Sequence, residues 1–251
     1  NFILIGAVAV VTVVMTTVTK TWESRGQAAA QRQLSLAFRG TGLALLMLCV
    51  VLALFKDVII LMFRAEYSPG AAILPLHLLF FVIGAFLAFL PIHFHLIEKA
   101  RHLFWPWAIG FTSNILFAFW LSGPGLRAVQ QFGLWKWLSP YTSQVFTTGF
   151  SSPQGLDSAT WCGVFAIATA LALCLVLIHA ECTRLDRGTY IIIFSALLLT
   201  LKPMFLVVGS LVLIFITFRT QLVFTSAERL RITGYILQTL KHFPPLEYWG
   251  R

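Results

Sequence analysis

Residues 71–97 read AAILPLHLLFFVIGAFLAFLPIHFHLI, a run without a single Asp, Glu, Lys or Arg. A hydrocarbon core about 30 Å thick takes roughly 20 helical residues to cross. Within lipid every backbone donor and acceptor must be satisfied inside the protein, so a run of this kind forms a helix. Pro75 and Pro91 each remove one helical hydrogen bond and permit a bend.

Outward from this run the pattern repeats. Residues 2–19, 41–55, 103–121 and 158–179 are apolar in the same way, and so are 189–218 apart from Lys202-Pro203. The expected fold class is therefore all-α, a polytopic transmembrane helical bundle of about six to seven spans. Hydrophobic residues make up 59% of the chain and charged ones 11%, against roughly 25% charged in soluble domains. The formal charge of +9 does not indicate nucleic acid, because the basic residues lie between the apolar runs instead of on one face or tail.

Those positions set the orientation. Lys20, Arg25, Arg32, Arg39, Lys99, Arg101, Arg184, Arg187 and the basic tail fall on one side, against Lys56, Arg64, Arg127, Lys136 and Lys202 on the other. The richer side is placed in the cytoplasm. This assumes that 189–224 crosses twice, turning at Lys202-Pro203; a single kinked crossing is the alternative and puts the tail outside. The domains expected are a transmembrane part, 1–224, with an outer loop at 122–157, and a cytoplasmic amphipathic tail, 225–251. The loop carries Trp135, Trp137 and Tyr141, which suit the headgroup zone, either lying on the leaflet or closing as a lid. The tail opens Thr225-Ser-Ala-Glu228, a helix-start pattern, and Leu230, Ile236, Leu237 and Leu240 then share a face that can rest on anionic headgroups.

The sequence contains no Gly-rich phosphate loop, no His-x-x-x-His and no Gly-x-Ser-x-Gly. No enzyme activity, cofactor or metal site is expected. His93 and His95 fall on nearly opposite sides of a helix and cap its end with His102 instead of sharing an ion. Cys49, Cys162, Cys174 and Cys182 lack metal spacing and read as small buried hydrophobes. His77 lies within a span, either lining a cavity or satisfied in packing. Thr12, Thr16 and Thr19 recur at helical spacing, a stripe that lines a hydrated cavity or hydrogen-bonds a neighbouring helix. Asn114 carries the same two readings. Lys56-Asp57 breaks the second span and sits at the outer interface.

The order of these features resembles the C-terminal half of the polysaccharide flippases of the multidrug/oligosaccharidyl-lipid/polysaccharide superfamily, the branch with the O-antigen transporters. The residues concerned are the polar stretch 16–40; Lys56-Asp-Val-Ile-Ile-Leu-Met-Phe-Arg-Ala-Glu-Tyr67-Ser-Pro-Gly-Ala71; Asn114; Gly155-Leu-Asp-Ser-Ala159; and Ser226-Ala-Glu-Arg229. In that family the Asn-bearing span passes to the Gly-Leu entry through a short turn, where this chain has the long connection 122–157.

The resemblance implies one lobe of a two-lobe, alternating-access transporter in the bacterial cytoplasmic (inner) membrane. Its cargo would be an undecaprenyl-pyrophosphate-type lipid-linked oligosaccharide, moved from the inner to the outer leaflet for surface polysaccharide such as the O-antigen of lipopolysaccharide. Its partners would be membrane lipids, an N-terminal lobe of the same protein and polysaccharide assembly enzymes. The opening of the chain directly in a span, without Met, fits the later part of a longer protein. Lys20 and Arg25 are the candidates for the diphosphate at the inner mouth, His77 and Lys56 nearer the outer exit, with Thr12, Thr16 and Asn114 lining the path. A drug or organic-cation antiporter of the same superfamily is an alternative, although it needs embedded carboxylates that these spans scarcely supply. A membrane glycan polymerase or transferase acting through Arg127, Lys136 or Asp157 is another, and a scaffold a third.

Overall fold

Gly26, at φ +80°, separates two helices where the sequence suggested a polar loop over 16–40. The computed structural model describes residues 2–62, 70–122, 155–181, 185–230 and 232–234. The helices are α1 (Phe2–Arg25), α2 (Gln27–Leu54), α3 (Lys56–Leu61), α4 (Gly70–Leu96), α5 (Phe104–Ser122), α6 (Gly155–Ala180), α7 (Arg187–Ser195) and α8 (Pro203–Arg219). Tighter 3₁₀ turns, Ala100–Leu103 and Ala196–Thr200, precede α5 and extend α7. The stretch after Gly26 is helical because it is built of Ala, Gln, Arg and Leu, all strong helix formers. The left-handed conformation at Gly26, open to glycine without strain, confines the break to that residue.

Among the described residues the fold is all-helical. Three helices are long and apolar enough to cross a membrane: Gln27–Leu54, Ile73–Leu96 and Thr160–Ala180. Arg187–Thr200 and Pro203–Arg219 are apolar but shorter. The helix α4 packs against α1, α2 and α6 and holds the centre. Its Leu79, Val82, Phe86, Leu87, Leu90 and Phe94 are almost wholly buried. Phe38 of α2 stacks on Phe86 at 5.3 Å between ring centroids and meets Phe89 edge-on at 5.4 Å. The α5 helix lies along α6, brought close where Gly110 faces Ala170; a Cβ on Gly110 would stand 2.9 Å from that of Ala170.

The region 189–224 reverses direction. Leu201 and Lys202 are extended (ψ 157° and 151°), and Pro203 opens α8 at a position where a missing N–H is harmless. Gly209 lies against Leu198, and at the far end Gly188 lies against Val223, so the legs run back to back. At helical rises the legs span about 24 and 26 Å, a little short of a bilayer core. Apolar side chains point outward from several helices: Leu48 and Val51 on α2, Trp105 and Phe111 on α5, Leu211 and Phe215 on α8. Such faces suit lipid and are too extensive for a chain dissolved in water.

The helix α2 ends at Leu54, and Lys56 opens the short α3, as the Lys56-Asp57 break suggested. Residues 63–69 of the stretch Lys56–Ala71 and most of the loop 122–157 lie outside the described residues, as do most of the tail and Cys182.

Candidate functional site at the basic end of the bundle

Arg39 is buried in the middle of α2, its side chain 6% exposed. Its Nη2 donates to Glu228 Oε1 at 2.7 Å and lies 3.5 Å from Asp186 Oδ2, while Nη1 donates to the carbonyl of Val223. Nε donates to the Ser35 carbonyl at 3.2 Å, and the guanidinium lies 5.4 Å over the ring of Phe224. Ser35 Oγ adds a 2.5 Å bond to Asp186 Oδ2. One cation thus holds Asp186 before α7 and Val223, Phe224 and Glu228 after α8, closing both ends of the hairpin onto α2.

Glu228 has a second task. Its Oε2 accepts the Thr225 amide at 2.8 Å, and the Glu228 amide donates to Thr225 Oγ1 at 3.3 Å. That reciprocal pair is the capping box read from Thr225-Ser-Ala-Glu228. Burial pushes the Glu228 carboxyl up, but the Thr225 amide and the Arg39 guanidinium together hold it below the ordinary range. Arg229 closes the preceding helix, donating to the carbonyls of Phe218, Thr220 and Phe224.

At the same end, Lys99 pairs with Glu181, whose Oε1 lies 3.8 Å from His102 Nδ1. The Lys99 bond holds the Glu181 carboxyl below its usual range. Gln27 Nε2 donates to the Leu96 carbonyl at 3.1 Å, so the start of α2 meets the end of α4. Between α2, α4 and the start of α7 is a cavity of about 190 Å³ with Gln31, Arg32, Ser35, His93, Asp186 and Thr189 in its walls.

The expected site residues divide between the two ends. Lys20 and Arg25 are exposed near the end of α1, at this basic end. Thr12 and Thr16 are exposed too, their hydroxyls donating to the carbonyls of Val8 and Thr12 at 3.0 and 3.1 Å. Lys56 and His77 lie at the opposite end, since α2 and α4 run antiparallel. His77 Nδ1 is 3.4 Å from the Thr160 hydroxyl, a contact from α4 to α6, and its ring is 6.4 Å from Phe81 on its own helix. Asn114 is exposed on α5. His93 is buried and His95 exposed, on different sides of α4 as helical spacing requires. Cys49, Cys162 and Cys174 are buried thiols. Arg127 and Lys136 lie outside the described residues, as does the side chain of Asp157.

Sequence reasoning missed the Arg39 cluster. It counted Arg39 as a loop charge, although a cation thirteen positions into helix-forming sequence and just before the run 41–55 was the available signal. Comparisons with protein-family models, curated proteins and solved structures give no match. Three of the described helices have the length and composition to cross a membrane, the pattern of a multi-pass membrane protein.

Proposed function

We propose that the chain is one lobe of a flippase that moves a lipid-linked oligosaccharide, of the undecaprenyl-pyrophosphate type, from the inner to the outer leaflet for surface polysaccharide assembly. The reading rests on the resemblance in feature order, and one structural observation supports it most directly. At about 100° per residue, Thr12, Thr16, Thr19 and Lys20 share a side of α1. Val14 and Val18, which pack into the core, lie on the other side. A stripe serving contact between helices of this bundle would be covered by one of them, yet Thr12, Thr16 and Lys20 are exposed. A polar stripe ending in a cation on the open side of a lobe is the surface that a hydrated path between two lobes needs. A saccharide and diphosphate require such a path because neither crosses hydrocarbon unaided, and Lys20 and Arg25 supply charge for the phosphates.

The test is leaflet-resolved translocation of a lipid-pyrophosphate oligosaccharide in proteoliposomes carrying both lobes of the transporter. The expected result is saccharide on the far leaflet, slowed by Lys20→Ala and Arg25→Ala. Absence of translocation under every imposed ion gradient rejects the reading.

A further inference from the structure

We propose that the cavity between α2, α4 and α7 binds a ligand carrying both a phosphate and a primary ammonium, the phosphoethanolamine group. Its walls hold two opposite charges, Arg32 and Asp186, that form no ion pair with each other. Asp186 is held on Ser35 and Arg39, with its side chain still 56% exposed. Arg32 is exposed and makes no hydrogen bond or ion pair among the described residues, and neither does Gln31 beside it. Two separated charges, one of them uncommitted, fit a ligand that bears the complementary pair at a short distance. The phosphate takes the Arg32 fork. The ammonium donates to Asp186, as a quaternary choline nitrogen, having no N–H, is unable to do.

Size and position agree with this. At about 30 Å³ per water, 190 Å³ holds on the order of six waters, which is room for a headgroup. Phe38, Phe89 and Leu90 add apolar lining that accepts carbon next to the phosphate. His93, also in the wall, lies near the end of the apolar span Ile73–Leu96, and Arg32 lies early in Gln27–Leu54. The cavity is therefore at the level where a bilayer changes from hydrocarbon to headgroups. The inference is independent of the transport reading.

The experiment is native mass spectrometry of the full chain released from vesicles containing phosphatidylethanolamine, phosphatidylglycerol and phosphatidylcholine with matched acyl chains. A parallel arm adds free phosphoethanolamine in detergent and reads its effect on the thermal midpoint. Retention of ethanolamine lipid over both others, reduced roughly tenfold by Arg32→Gln, is expected. Ala28→Trp, which fills the cavity and leaves both charges, should give the same loss. If only the free compound binds, with the same response to the two variants, the chemistry stands and its source is soluble. Equal retention of the three lipids with no effect of the free compound overturns the proposal, as does binding that both variants leave unchanged.

Discussion

Arg39 and Glu228 are 189 positions apart in the chain and meet at 2.7 Å. Replacing Arg39 with Ala removes the partner of two carboxylates and leaves the Val223 carbonyl without its donor. Loss of one member of a buried pair costs about 3 kcal/mol. Arg39→Lys should recover little of this, because one ammonium does not reproduce a fork that reaches Glu228, Asp186 and Val223 together. Denaturant unfolding in detergent measures both variants.

Acid should release the tail before the core. The Glu228 carboxyl is held below its ordinary value of 4.5, so between the two values the released state binds more protons than the docked one. Its contribution is complete above 4.5 and disappears as the pH falls through the depressed value. Amide protection over residues 226–230, taken relative to the intrinsic exchange rate at each pH, should therefore fall in acid. Glu228→Gln should exchange fast already at neutral pH, with no further step in that window.

Three glycines should respond differently to alanine. At Gly188 a Cβ would stand 2.7 Å from the Val223 carbonyl oxygen and 2.9 Å from its Cα, and backbone has nowhere to retreat. The expected loss is about 2 kcal/mol. At Gly209 the obstacle is a terminal methyl of Leu198, which can rotate away, so the effect is small. Gly40 faces open space within α2, and Ala there should stabilise by roughly 0.5–1 kcal/mol. Thermal midpoints of the three variants should rank Gly40→Ala above Gly209→Ala above Gly188→Ala.

The reversal at Lys202-Pro203 has a topological outcome. In a background lacking Cys182, Lys202→Cys should react with a membrane-impermeant maleimide from one side and Ser226→Cys from the other. Labelling of both from the same side would mean that the hairpin dips into the bilayer and returns.

Hydropathy located α4, α5 and α6 to within a few residues, because lipid imposes one simple demand on a long sequence window. The capping box was legible because both partners sit within one helical turn, at Thr225 and Glu228. Lys202-Pro203 was legible as a break, but whether the chain bends or reverses there depends on Gly188 finding Val223, a contact between distant positions. Arg39 was misread for the same reason. Its charge is visible in the sequence, whereas the burial that makes it decisive comes from Asp186, Val223, Phe224 and Glu228, each remote in the chain. The Thr12–Thr16 stripe gave its spacing but not its neighbours, so only the fold could show that both threonines are exposed and that none of the described helices covers them.

The Arg39 clasp also imposes a timetable. At ribosomal rates of about 5–20 residues per second, roughly 10–40 s separate the synthesis of Arg39 from that of Glu228. During that interval the guanidinium has to stay hydrated or among headgroups, which its place at the basic end permits. The helix α2 is thus clasped by residues made well after it. A nascent protein stalled before Val223 has Asp186 beside Arg39 but still lacks Glu228 and the Val223 carbonyl, a half-closed clasp open to membrane quality control.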